Sequence, residues 1–161
     1  MPIILGVDPG LSNLGYGIID SSQGSLKYIT AGTVKTSSQD DCAKKLNSIH
    51  QELAKLIEKY QPDTLALEEL FFCKNTKTAM AVGQVIGVII LLAGQSKIKL
   101  LQFKPLEIKM SLTSYGLADK KQIALMVHSI LGLKKLKISH HATDALACAI
   151  CGAQNKSWQK N

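Results

Sequence analysis

The stretch Ile3–Ile19 reads IILGVDPGLSNLGYGII. Two apolar runs enclose an aspartate, a proline and several glycines. A short apolar run that stops at Asp8-Pro9-Gly10 has the pattern of a buried strand ending in a turn. The second run, from Leu14, reads as the strand that returns beside it. An acid at the end of a buried strand can hold a metal, shape a phosphate loop or close a turn, and these residues alone leave all three open.

Working outward, residues 14–20 and 26–35 read as two further strands joined by a polar turn, so the chain begins as an antiparallel meander. Apolar positions 46, 49, 53, 56, 57 and 60 recur at helical spacing over 41–60. Ser38 with Asp41 three residues on fits a capping box at its start. A strand at 64–67 precedes Glu68-Glu69. Helix 77–94 and strand 99–103 follow, then helices at 105–112 and 120–131, with Gly132 as a stop. The last helix is 140–153, with Ser139 as N-cap. This order predicts an α/β fold, a mixed sheet with helices on its faces, in a single domain over residues 1–161.

Composition narrows the class. Hydrophobic content of 46% against 19% charged residues is that of a folded chain with a full core, not a disordered one. Residues 78–96 carry no charge, but glutamines and glycines interrupt them and the apolar part falls short of the roughly 20 residues that span a bilayer. A core or subunit-interface helix is expected there, with no membrane. Cys148 and Cys151 lie in an apolar helical pattern without a second ligand pair, which favours buried thiols over zinc. The absence of a disulfide framework and of a signal pattern predicts a cytoplasmic protein.

The net charge is +7, and residues 97–137 hold nine lysines against two acids. A basic second half points to a polyanionic partner. All 19 basic residues are lysine, so bidentate arginine readout of guanine is unavailable and phosphates must be met by lysine point charges.

Among the acids, three sit beside apolar runs: Asp8 and Glu68 at strand ends, and Asp144 in the helix HHATDALACAI. Charged groups there are costly unless paired or bound to a cation. If the two strands are adjacent and parallel, Asp8 and Glu68 meet at the carboxyl edge where open sheets build sites. His141 and Asp144 share a helix face at i,i+3, and His140 nearly shares it. Three carboxylates and an imidazole would suit Mg²⁺, which prefers oxygen ligands and keeps waters. Each residue alone has a plainer role, as a turn former, a surface acid or a lysine partner; their combination with the basic half favours a metal site.

These residues resemble the RuvC-type crossover-junction endodeoxyribonucleases, Holliday junction resolvases with a ribonuclease-H-like fold. The resemblance spans about residues 3–152. It is carried by GVDPG…GYGII at 6–19, LALEELFF at 65–72, GQ..G at 83–87, GLADKKQI at 116–123 and HHATDALACAI at 140–150. It implies a ribonuclease-H-like mixed five-stranded sheet flanked by helices. It implies metal ligands and catalytic residues at Asp8, Glu68, His141 and Asp144, with two Mg²⁺ per site and Mn²⁺ able to substitute where His141 stands in place of the more usual aspartate. It further implies DNA contacts at Phe71, Lys109 and Lys120. Gly15 and Gly17 would let the next strand, and DNA, come close. The chain departs from the family at Ile86 and at Ser114-Tyr115-Gly116-Leu117, where relatives often carry arginine.

The activity implied is a homodimeric endonuclease that resolves four-way DNA junctions in recombination and repair by paired nicks, leaving 5′-phosphates. The RuvA–RuvB branch-migration complex is its implied partner, and helix 77–94 the expected dimer contact. Two other readings are a junction-binding module without catalysis and, least favoured at this length, a fragment of an actin-like ATPase, whose nucleotide domain also opens on Asp-x-Gly.

Overall fold

The computed structural model describes residues 2–22, 24–69, 76–133 and 137–155. The chain runs β1 (Ile3–Asp8), β2 (Asn13–Asp20), β3 (Lys27–Lys35), α1 (Cys42–Tyr60), β4 (Thr64–Glu68), α2 (Thr76–Gln95), β5 (Lys99–Phe103), α3 (Pro105–Thr113), α4 (Lys120–Ile130) and α5 (His140–Gln154). Among the described residues the strands form one five-stranded sheet in the order β3-β2-β1-β4-β5. β1, β2 and β3 are antiparallel neighbours, whereas β4 and β5 run parallel to β1. The mixed sheet implied by the resemblance is the one observed.

Strand periodicity sorts the side chains into two cores. On β1, Leu5 and Val7 join Leu65, Leu67 and the buried faces of α1 and α2. Ile4 faces the opposite way, with Ala66 of β4, into a core built by α3, α4 and α5. Gly6 and Asp8 continue the Ile4 side, and Glu68 continues the Ala66 side. The acids therefore point towards the α5 layer because the hydrophobic pattern fixes the strand faces.

α5 is the central helix. From Ala142 to Gly152 every residue except Asp144 is buried, as befits a helix packed on all sides. It lies directly on β1 and β2 because those strands lack side chains beneath it. A Cβ at Gly6 would run into the Ala145 carbonyl, and one at Gly15 into the His141 backbone. The sequence led us to expect a neighbouring strand or DNA against the later glycines; the element that approaches is instead α5, more than a hundred residues away in the chain.

The start of α1 also differs from expectation. Asp41 itself is the N-cap, accepting the Lys44 amide at 2.8 Å, so the helix begins at Cys42 and Ser38 plays no part in its cap. Asp41 outcompetes Ser38 because its carboxylate reaches the third amide of the helix that actually forms. α2 is long and apolar enough to cross a membrane by length and hydropathy. Here Val85, Ile86, Ile89, Leu92 and Ala93 pack into the core, leaving Met80, Ile90 and Leu91 exposed on the other side.

Candidate active site

The parallel pairing of β1 with β4 sets Gly6 beside Ala66 and Val7 beside Leu67. The next step in that register brings Asp8 alongside Glu68, both at the carboxyl ends of their strands. α5 enters above them. Ser139 caps its first turn, accepting the Ala142 amide at 3.2 Å, and its hydroxyl is 2.7 Å from Thr33 Oγ1 on β3. With its start pinned and Gly15 beneath it, the helix presents His141 and Asp144 to the strand ends.

The four residues line one cavity of about 540 Å³. His141 Nδ1 is 2.9 Å from Asp8 Oδ2. With the proton on Nδ1 it donates to the carboxylate, and Nε2 keeps a lone pair. Lys120, at the first position of α4, reaches Asp144 with Nζ 3.5 Å from Oδ2. Lys109 of α3 and His140 line the same cavity. Phe71, also singled out from sequence, lies outside the described residues. Asp119 also lines the cavity, but its carboxylate caps α4 by accepting the Gln122 amide at 2.8 Å.

Electrostatics in the cavity are those of crowded acids. Burial raises the Asp8 carboxyl above its ordinary value and Asp144 adds to this, while the hydrogen bond from His141 and the charge of Lys120 oppose it. Glu68 is raised first by burial, then by Asp8 and Asp144, with Lys120 and Lys109 pulling the other way. Beneath them Cys148 is fully buried, and its thiol is pushed well above its usual range by burial and by the same carboxylates. That thiol is inert packing, as the apolar helix pattern predicted.

The donor set fits a hard divalent cation. Asp8 Oδ1, both oxygens of Glu68, Asp144 Oδ1 and His141 Nε2 remain uncommitted to the two contacts above. Among the described residues, no group of three or more His, Cys, Asp or Glu side chains lies close enough together, as placed, to hold a metal ion, so these side chains would have to draw in around one. An open site whose coordination is completed by water and substrate oxygens is the kind Mg²⁺ uses.

The family model for crossover junction endodeoxyribonuclease RuvC matches residues 4–152. The chain belongs to the RuvC family. A RuvC of Caldicellulosiruptor saccharolyticus is 46% identical over 149 residues, covering 92% of this chain and 90% of the relative. A RuvC of Syntrophomonas wolfei is 44% identical over 148 residues, covering 92% and 86%. The structure of Thermus thermophilus RuvC in complex with Holliday junction substrate superposes with a TM-score of 0.89 at 30% identity, covering 95% of this chain and 93% of that one. The fold is thus that of RuvC, a ribonuclease-H-like sheet, and the family's chemistry is cleavage of DNA. The match over most of the chain removes the ATPase-fragment reading.

Proposed function

We propose that this chain resolves four-way DNA junctions as a homodimer, each subunit making one metal-dependent nick, with Asp8, Glu68, His141 and Asp144 as the metal-binding and catalytic residues. The observation that carries the residue assignment is the single cavity these four line, with Lys109 and Lys120 at its margin. Residues 1–161 act as one nuclease domain, working in the cytoplasm where the DNA substrate and the implied RuvA–RuvB partners are found.

Bound divalent ions, two in this reading, would activate water and stabilise the leaving oxygen of the phosphodiester. The chain's own residues do the rest. The carboxylates of Asp8, Glu68 and Asp144 supply the negative charge that draws cations to the sheet edge. His141 holds its Nδ1 proton against Asp8, fixing the orientation of both groups. Lys120 pairs with Asp144 and is exposed enough to swing to a phosphate. Lys109 meets the same strand from α3, and Phe71 stacks on an unpaired base at the junction centre. The exposed apolar side of α2 packs on its own copy across a two-fold axis.

The test is cleavage of a synthetic four-way junction with Mg²⁺ or Mn²⁺. The wild type is expected to leave paired nicks with 5′-phosphates. Asp8→Asn and Glu68→Gln are expected to bind the junction and leave it intact, with cutting reduced by at least about 10²-fold. A wild type that binds junctions but never nicks them would select the non-catalytic binding module.

A further inference from the structure

A second hollow adjoins the catalytic cavity. It has a volume of about 290 Å³ and is lined by Thr113, Tyr115, Ala118, Gln122, Leu125 and Met126. Ala118 lines both spaces, so the turn between α3 and α4 is the wall that separates them. We propose that this hollow receives an unstacked nucleobase next to the scissile phosphate, with Tyr115 as its stacking platform. The proposal rests on the junction-cutting reading above and adds to it a source of sequence preference.

The turn is built to hold an aromatic ring outward. Ser114 ends α3 in the left-handed region, with φ of 55°. The Thr113 hydroxyl donates to the Lys109 carbonyl at 2.8 Å and accepts the Tyr115 amide at 3.1 Å. The Ala118 amide closes the turn on the Tyr115 carbonyl at 3.2 Å. A ring on so fixed a backbone loses little freedom when it binds. Yet Tyr115 is 53% exposed, and Leu125, which lines the same hollow, 70% exposed. Large apolar groups left open beside a catalytic cavity mark a binding surface.

The surroundings choose nucleic acid over an apolar partner. The turn sits between Lys109 in the middle of α3 and Lys120-Lys121 at the start of α4, so phosphates flanking a base would be met on both sides. An apolar, aromatic floor accepts any base by its π-face. Discrimination then falls to the polar edge. Gln122 spends its Oε1 on the Asp119 amide at 2.9 Å, which orients the side chain and leaves Nε2 as a donor to a base acceptor. In a chain without arginine, such a donor replaces the guanidinium fork that would otherwise read bases.

The experiment uses full-length protein carrying Asp8→Asn, so that binding is read without cutting. 2-Aminopurine is scanned through the nucleotides around the crossover of a four-way junction. Emission is expected to change on binding at the base assigned to Phe71 and at one further position per cut strand; that second response is expected to be lost with Tyr115→Ala and kept with Tyr115→Phe, the first to persist in both. In the cutting-competent protein, Tyr115→Ala is expected to slow cleavage of the preferred junction about tenfold and to flatten differences between junctions that vary at that base. Junction affinity should move less than twofold, because lysine–phosphate contacts carry it. Unchanged emission and unchanged sequence preference in Tyr115→Ala would overturn the proposal. A wild type that fails to cut any junction would defeat the nuclease reading separately, since the emission measurement requires no cutting.

Discussion

Glu68 shows what a single residue contributes and costs. Burial and the neighbouring Asp8 and Asp144 raise its carboxyl above the ordinary value. A group raised on folding stabilises the fold below its ordinary value, and that contribution is lost as pH climbs through the raised one. At neutral pH without metal, Glu68 is therefore a liability. Glu68→Gln is expected to melt higher than wild type in EDTA at neutral pH, with the gap closing as pH falls towards 4.5, the carboxyl's ordinary value. The carboxylate still reaches solvent, which holds the gain to about 1 kcal/mol, some 2–4 °C for a chain of this size. Mg²⁺ should raise the wild-type melting temperature and narrow the difference. Equal melting temperatures in EDTA would show that crowding at Glu68 is relieved some other way.

At the scale of elements, the candidate site follows from three decisions: which faces the strands present, where β1 and β4 stop, and how close α5 can come. The first two were legible in the sequence. Alternation fixes the faces, and the apolar runs end at Asp8 and Glu68. The i,i+3 spacing of His141 and Asp144 was equally visible. What periodicity does not encode is the partner across space. The glycines announced a close approach, but only the fold shows that α5 makes it; likewise Lys120 and Asp144 meet only because α4 folds back on α5. The Tyr115 hollow was invisible for the same reason, being made by the geometry of a turn. Gly15 is the hinge of this arrangement, since a methyl group there collides with the His141 backbone. Gly15→Ala is expected to cost about 1–3 kcal/mol, as overpacking does. It should also cut activity by about 10²-fold, because the first five residues of α5 carry His141 and Asp144 and small misplacements are severe. Chemical denaturation and junction cleavage together check this. A variant destabilised in that range but fully active would mean that α5 shifts without moving His141 and Asp144.

On the proposed reading, the whole molecule divides its surface between assembly and substrate. Met80 and Leu91 leave an apolar side of α2 open, while the net positive charge concentrates in residues 97–137, with nine lysines against two acids. Leu91 is 58% exposed, so Leu91→Asp should fold normally by circular dichroism yet sediment as a monomer; a dimer at every concentration would move the interface elsewhere.

That basic stretch makes a different prediction, about salt. Lysine contacts to phosphate act through released counterions, so the logarithm of junction affinity should fall linearly with that of salt concentration, each contact adding about 0.9 to the slope. Lys109→Ala and Lys120→Ala are each expected to flatten the slope by about one unit when binding is measured in EDTA. Their effects at low salt should nevertheless differ. Lys120 is the partner of Asp144 at 3.5 Å, so its removal also leaves an unscreened carboxylate facing the DNA. Lys120→Ala should therefore weaken binding more than Lys109→Ala, and adding Mg²⁺ in an Asp8→Asn background should recover part of the difference by restoring positive charge near Asp144. Slopes identical to wild type in both variants would remove these two lysines from the DNA-facing surface and leave the grip to lysines elsewhere in the second half of the chain.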